Sequence, residues 1–220
     1  KQPKNDIIIL FSDAEELGLN GAALFVTQHP WAKEVGLALN FEARGSSGPS
    51  YMLMETNKGN AGLVNEFSKA GVTYPVSNSL MYSIYKMLPN DTDLTVFREK
   101  GNIQGLNFAF IDDHYNYHTQ QDDAQHLAKN TLAHQGRYLM PLLTYFSNAN
   151  LDAVQATEDE VYFTIPFTFI SYPFSWVLPM TIIAGVFLMF FCIIGKAKRI
   201  FTFRELFKGL IPSLGSLGIA

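Results

Sequence analysis

The chain has 220 residues, of which 48% are hydrophobic, a formal net charge of −4 and a single cysteine. That cysteine, Cys192, lies inside an apolar run, which excludes disulfide scaffolds and thiolate metal clusters and leaves His and carboxylates as the only possible ligands for a metal. The charge is divided: residues 1–160 hold 11 Lys plus Arg against 19 Asp plus Glu, a net of −8, whereas residues 161–220 hold 5 against 1, a net of +4. No basic stripe with interleaved aromatics runs through the acidic part, so a nucleic-acid partner is excluded.

The first residues, KQPKND, lead directly into an apolar β-branched run, Ile7 to Leu10, which reads as a strand. It ends in a polar corner at Ser12 and Asp13 that carries Glu15 and Glu16, and a helical pattern through Leu17, Leu19, Ala22, Ala23 and Phe25 follows. Carboxylates at the carboxyl end of a strand occupy the crevice where open α/β sheets place their ligands. Helix capping and the macrodipole favour acids there too, so the corner alone decides nothing. A parallel sheet that opens with this corner so early is expected to have lost earlier strands, and the chain reads as a fragment of a longer protein.

The helix is expected to stop near His29 and Pro30, and Trp31 to Glu34 turn the chain. Val35 to Phe41 is a second buried strand ending in Glu42 and the Gly- and Ser-rich ARGSSGPS loop. A short third strand, Tyr51 to Thr56, precedes an amphipathic helix over Ala61 to Ala70, closed by Gly71. Ser79 to Leu88 reads as a helix ending at Pro89, and DTDLTVFREKG as a short helical turn. Gly105 to Ile111 is an apolar strand that runs out into DDHYNYHTQQDD, and Asn130 to Phe146 is a long helix covering the sheet. Strands alternating with helices predict an α/β domain with a largely parallel, mixed sheet flanked by helices.

From Val161 the character changes, and no charged residue occurs between Phe163 and Ile194. Phe174 to Ile194 is long enough to cross about 30 Å of hydrocarbon, so a transmembrane helix is expected, with a buried core helix as the rival. Pro166, Pro173 and Pro179 mark a kinked or interfacial entry, with Tyr172 and Trp176 at the level of the headgroups. Lys196, Lys198 and Arg199 predict a cytoplasmic end there, which places residues 1–160 on the non-cytoplasmic side. The expected division is a domain at 1–150, a linker at 151–165, a membrane segment at 166–195, and at 196–220 a cytoplasmic loop with the start of a possible second span.

Three strand ends supply polar groups: Glu15 with Glu16, Glu42, and the loop with His114 and His118. Zinc accepts carboxylate and imidazole together, and a catalytic site keeps one position open for water, so a pair of zinc ions would suit these groups. With DAEELGLNGA at 13–22, NFEARG at 40–45 and NYHTQQDD at 116–123, in this order and with GLNFAF before the last, the chain resembles the M28 family of zinc peptidases. The apolar segment makes it similar to the membrane-anchored branch of that family, the endoplasmic-reticulum metallopeptidases and vacuolar membrane proteases.

The resemblance implies a zinc-exopeptidase-like fold and hydrolysis of peptide bonds, of the aminopeptidase type, by metal-activated water. It makes Glu15 the general base, Glu16 and His118 ligands of one zinc, and Glu42 the ligand of the other, at a place where many relatives have Asp. Two further ligands of the family, a His in an H-x-D motif and a bridging carboxylate, precede the Glu-Glu corner and have no counterpart here. The chain alone is therefore expected to hold an incomplete site and to be inactive by itself. Implied partners are a peptide substrate and the lipid bilayer, and the oligomeric state is not readable.

Around that set the alternatives stay open. Tyr117 would donate to an oxyanion or simply pack; Asp93 would face the pocket or cap a helix; Asp122 and Asp123 would start the last helix or support a ligand. Arg44 and its glycines would cradle an anion or form a plain loop. A helical pairing of His114 with His118 lacks the Glu that an HExxH motif needs. His29, His126 and His134 fit no motif and read as surface or helix residues. Rival functions are a glutaminyl-cyclase-like acyltransferase and a catalytically inactive binding ectodomain of the same fold.

Overall fold

The computed structural model describes residues 2–88, 91–166 and 168–219. Residues 1–174 and 175–220 form two compact units. In the first unit the order is α1 (Asn20–Gln28), β1 (Ala38–Ala43), β2 (Tyr51–Glu55), α2 (Ala61–Lys69), α3 (Ser79–Tyr85), α4 (Asp93–Gly101), β3 (Gly105–Phe110), α5 (Lys129–Phe146), β4 (Glu160–Ile165) and β5 (Thr168–Pro173). A mixed sheet has the order β1-β3-β2, with β3 parallel to β1 and antiparallel to β2. The expected α/β class and mixed sheet are observed.

The apolar strand GLNFAF takes the centre because all six of its residues can be buried. Its Leu106 and Phe108 meet Met52 and Met54 of β2 and, from above, Leu63, Val64 and Phe67 of α2 with Tyr138, Leu142 and Phe146 of α5. Phe108 stacks on Phe41 with ring centroids 4.7 Å apart and lies 4.7 Å from Tyr138. Burying a ring of this size stabilises by about 1.5–3 kcal/mol. On the other face Ala22 and Phe25 of α1 pack with Leu94, Val96 and Phe97 of α4 and with Ile103. The sheet is thus flanked by helices on both sides, and the carboxyl ends of β1 and β3 emerge together.

Glu66 of α2 ties the upper layer: Lys69 donates to it at 2.6 Å and the Tyr145 hydroxyl of α5 at 2.7 Å. Burial pushes its carboxyl up, but these two hydrogen bonds outweigh it and the carboxyl sits below its ordinary value. The group therefore lends stability that is fully present above the ordinary carboxylate range, about pH 4.3, and is lost as pH falls through the lower folded value. Glu66→Gln is expected to flatten the acid limb of the stability curve, read by denaturant unfolding from about pH 5 downward. An unchanged acid limb would contradict this account of Glu66.

Four expectations change. Ile7–Leu10 joins no ladder, because a strand exists only where a neighbour pairs with it, and no strand lies beside this run among the described residues. DTDLTVFREKG forms a full helix, α4, of nine residues, started by Thr92, whose amide is accepted by the Thr95 hydroxyl at 3.2 Å. Between the expected domain and span, where a linker and a proline-kinked entry are predicted, β4 and β5 form an antiparallel hairpin. Aromatic and β-branched residues, in VYFTI and TFISY, favour that pleat. The helix from Ser79 ends at Tyr85, short of Leu88, and its predicted stop, Pro89, lies outside the described residues.

The second unit holds α6 (Val177–Ala197) and α7 (Phe203–Ile219). Phe174–Ala197 is long and apolar enough to cross a membrane, and within α6 only Gly195 is buried among the described residues, unlike the core helix of a globular domain. Gly195 lets the Phe201 ring lie against α6, and Thr202 and Glu205 cap each other's backbone at the start of α7.

Candidate metal centre

The corner after Leu10 is bent by backbone that side chains rarely adopt. Ala14, Gly18 and Leu19 have φ of 57°, 107° and 59°. The Gly21 and Leu19 amides donate to Asp13 and Glu15 carbonyls at 3.0 and 2.8 Å, and a Cβ at Gly21 would overlap the Asp13 backbone. This folding turns Glu15 inward and leaves Glu16 in solvent. Opposite, the loop after β3 makes a single 3-10 turn at His114–Asn116, and His118 follows with φ of 56°. Left-handed non-glycine residues cost on the order of 1–3 kcal/mol each and persist where their surroundings dictate them.

These two bends meet. The His118 Nε2–H donates to Glu16 Oε1 at 2.6 Å, the Tyr117 hydroxyl donates to the same oxygen at 3.2 Å, and the two rings stack with centroids 3.8 Å apart. The hydrogen bond from His118 holds the Glu16 carboxyl below its ordinary value against the opposing effect of burial, with Tyr117 and Arg44 helping. Glu15 is shifted the other way: burial first, then the charges of Glu16 and Asp93, push its carboxyl up, while Arg44 and His118 restrain it. Two adjacent carboxylates with opposed shifts are suited to different tasks, one ionised as a ligand, one nearer neutrality as a base.

Glu42 closes β1. Asn107, fully buried in the middle of β3, donates to Glu42 Oε1 at 3.0 Å and accepts from Asn40 at 3.0 Å. Burial pushes the Glu42 carboxyl up to about 7, opposed by Asn107 and Arg44 and aided by the charge of Glu15. Gln135 of α5 donates to the Glu42 carbonyl at 3.0 Å. The loop after Glu42 is fixed to the His118 loop: Gly45 passes so close to Ile111 and Asp112 that a Cβ would overlap their carbonyl oxygens. There Asn116 donates to the Ser46 hydroxyl at 2.7 Å and Ser47 to Asp113 at 2.6 Å.

The structure thus brings Glu16 and His118 into contact and sets Glu15 beside them. Glu42 lies within electrostatic reach of Glu15 but outside that contact, and among the described residues no three His, Cys, Asp or Glu side chains converge closely enough to hold an ion. A cleft lined by Ser12, Asn40 and Asp93 runs along β1 toward the corner. The pair nevertheless fits zinc in donor type, one carboxylate and one imidazole, and the surplus of Glu15, Glu16, Glu42 and Asp93 over Arg44 favours a cation.

The neighbouring residues bear on the alternatives for Asp93, His114 and Asp123. Asp93 is not the cap of α4, which is Thr92; the Ser12 hydroxyl donates to it, and its other oxygen is buried without a partner among the described residues. It anchors the corner. His114 and His118 share no helix. Asp123 does not start α5; it accepts from the amides of Gln125 and His126 and from the His126 ring. His29 accepts from the Trp31 amide, and His134 bridges the Ser50 amide and the Tyr74 carbonyl, both structural roles. Asn107 and Gln135 escaped the sequence reading. An amide in an otherwise apolar central strand must find a partner, and that is the signal that would have found Asn107.

The family model described as peptidase family M28 matches residues 1–143. Endoplasmic reticulum metallopeptidase 1 of Rattus norvegicus is 31% identical over 147 residues, 66% of this chain and 16% of the relative. The vacuolar membrane protease of Candida dubliniensis is 31% identical over 177 residues, 80% of this chain and 18% of the relative. That of Candida albicans (strain WO-1) is 32% identical over 191 residues, 84% and 20%. The chain therefore spans a fifth or less of these curated relatives. No solved structure matches it.

Proposed function

The chain belongs to peptidase family M28, and from that premise we propose that it forms part of a membrane-anchored zinc peptidase of the aminopeptidase type. The observation that carries this reading is the contact between Glu16 and His118, 102 positions apart, with Glu15 beside it. Glu16 and His118 would hold one zinc and Glu42 a second. Zinc, when bound there, supplies Lewis acidity toward water and the scissile carbonyl.

Every other part falls to the protein's own groups. Glu15 receives a proton from the attacking water and returns it to the departing amine, a task its raised carboxyl suits. The Tyr117 hydroxyl, now on Glu16, is a donor at hand for charge that develops on the substrate oxygen. Asn107 holds Glu42 in one orientation and Ser12 ties the corner to α4 through Asp93.

The proposed division is a peptidase domain at 1–150 that the β4–β5 hairpin extends, a membrane segment at Phe174–Ala197, and a cytoplasmic segment after it that leads toward a possible second span. Lys196, Lys198 and Arg199 at the end of α6 support a cytoplasmic end there and a non-cytoplasmic catalytic domain. Residues 1–220 alone are proposed to be inactive, so the test uses the full-length protein. Its hydrolysis of aminoacyl amides is expected to stop on removal of metal by a chelator and to return with added zinc. A rate unaffected by the chelator would overturn the reading.

A further inference from the structure

α6 is closed by its own backbone. The Ile200 amide donates to the Gly195 carbonyl at 2.9 Å and the Arg199 amide to the Lys196 carbonyl at 3.0 Å, with Arg199 at φ of 55°, an arrangement that stops a helix and turns the chain. A new helix then starts. The Thr202 amide donates to the Glu205 carboxylate at 2.6 Å and the Glu205 amide to the Thr202 hydroxyl at 3.3 Å, which caps α7 at its own beginning. The Lys196 ammonium lies 4.4 Å from the centre of the Phe203 ring, so the basic end of α6 and the first residue of α7 share one level.

The two helices differ in pattern. α6 is uncharged on every side up to Lys196, whereas α7 divides lengthwise. At 100° per residue, Phe203, Leu206, Phe207, Leu210, Ile211 and Leu214 fall within an arc of about 140°, and each is left 38% to 68% exposed. Arg204, Glu205, Lys208, Pro212 and Ser216 occupy the rest of the circumference. Such a stripe suits an apolar medium along one flank and water along the other.

We propose that α7 lies in the plane of the cytoplasmic membrane surface, its apolar stripe in the outer acyl region and its cations on anionic lipid headgroups. Charge selects this occupant. Lys196, Lys198, Arg199, Arg204 and Lys208 stand against the single acid Glu205, and anionic headgroups supply the complement at the level where α6 emerges. α7 is not itself a second crossing: its 17 residues make about 26 Å, short of a core of about 30 Å, and would carry Arg204, Glu205 and Lys208 into it. The inference rests on α6 crossing the membrane in the proposed orientation and is independent of the peptidase chemistry.

Nitroxide labels test it. In full-length protein freed of its native cysteines and reconstituted into vesicles of phosphatidylcholine mixed with phosphatidylglycerol, labels are compared by their collisions with oxygen and with a water-soluble nickel chelate. Phe207→Cys, Leu210→Cys and Leu214→Cys are expected to favour oxygen at one common depth, about 5–10 Å below the surface, and Gly209→Cys and Ser216→Cys to favour nickel. In phosphatidylcholine alone, or with Arg204→Gln and Lys208→Gln together, the ratio of immersed to water-exposed label should fall on the order of 10-fold. Depth that increases steadily from Phe207 to Leu214 would overturn the proposal in favour of a crossing helix. Labels shielded from both reagents would overturn it in favour of a protein partner, and equal immersion in neutral and anionic vesicles would overturn the recognition of anionic lipid. A Leu188→Cys label on α6 is read in the same vesicles; if it fails to reach the bilayer interior, the premise of a span fails and the proposal with it, an outcome told apart from failure of α7 alone.

Discussion

Glu15→Gln in the full-length protein is expected to lower kcat by about 10²–10⁴ while leaving zinc content and thermal stability near those of the parent. The substitution keeps size and hydrogen-bonding capacity and removes only the ability to accept a proton. Glu15 is half-buried and makes no ion pair among the described residues, so the variant breaks no ion pair that supports the fold. Its position is set by the left-handed Ala14 before it and by the Gly18 and Leu19 amides that bond to its carbonyl, all of which the variant retains. Because proton transfer is needed only at the transition state, kcat and kcat/KM should fall together with KM little changed. A variant within a few-fold of the parent rate would remove Glu15 from the chemistry, and a large fall accompanied by loss of zinc would make it a ligand.

The parts of this arrangement that short-range pattern encodes are the parts the sequence displays. Glu42 is legible because VGLALNF is an apolar run that stops at a carboxylate, and the Glu15–Glu16 corner because charge interrupts the passage from a β-branched run to a helical period. The meeting of Glu16 with His118 is not periodic at all. It rests on Ala14 and His118 taking left-handed backbone, which neither residue type announces, and only the ordered motifs pointed to it.

Failures have the same root. Ile7–Leu10 has strand composition, but pairing is a property of neighbours, and no strand lies beside it among the described residues. The β4–β5 hairpin was hidden by Pro166 and Pro173, which read as breaks in a membrane entry although they stand at the turn and at the end of a strand, where proline does no harm. Asn107 does not stand out in the sequence because an apolar strand is read by its majority, whereas its single buried amide is what fixes Glu42.

The central claim is that Glu16 and His118 meet in order to hold a metal ion, and bound zinc in purified full-length protein measures it most directly. His118→Ala removes the imidazole but not the Glu16 carboxylate or Tyr117. A partner outside the ligand set is worth about 10–100-fold in metal affinity, and a direct ligand is expected to exceed that. Zinc stoichiometry after dialysis against a weak chelator should therefore fall by one ion per chain in His118→Ala and in Glu16→Ala, and should stay at the parent value in His126→Ala, which pairs with Asp123 on the surface. Zinc retained in full by His118→Ala would contradict the account.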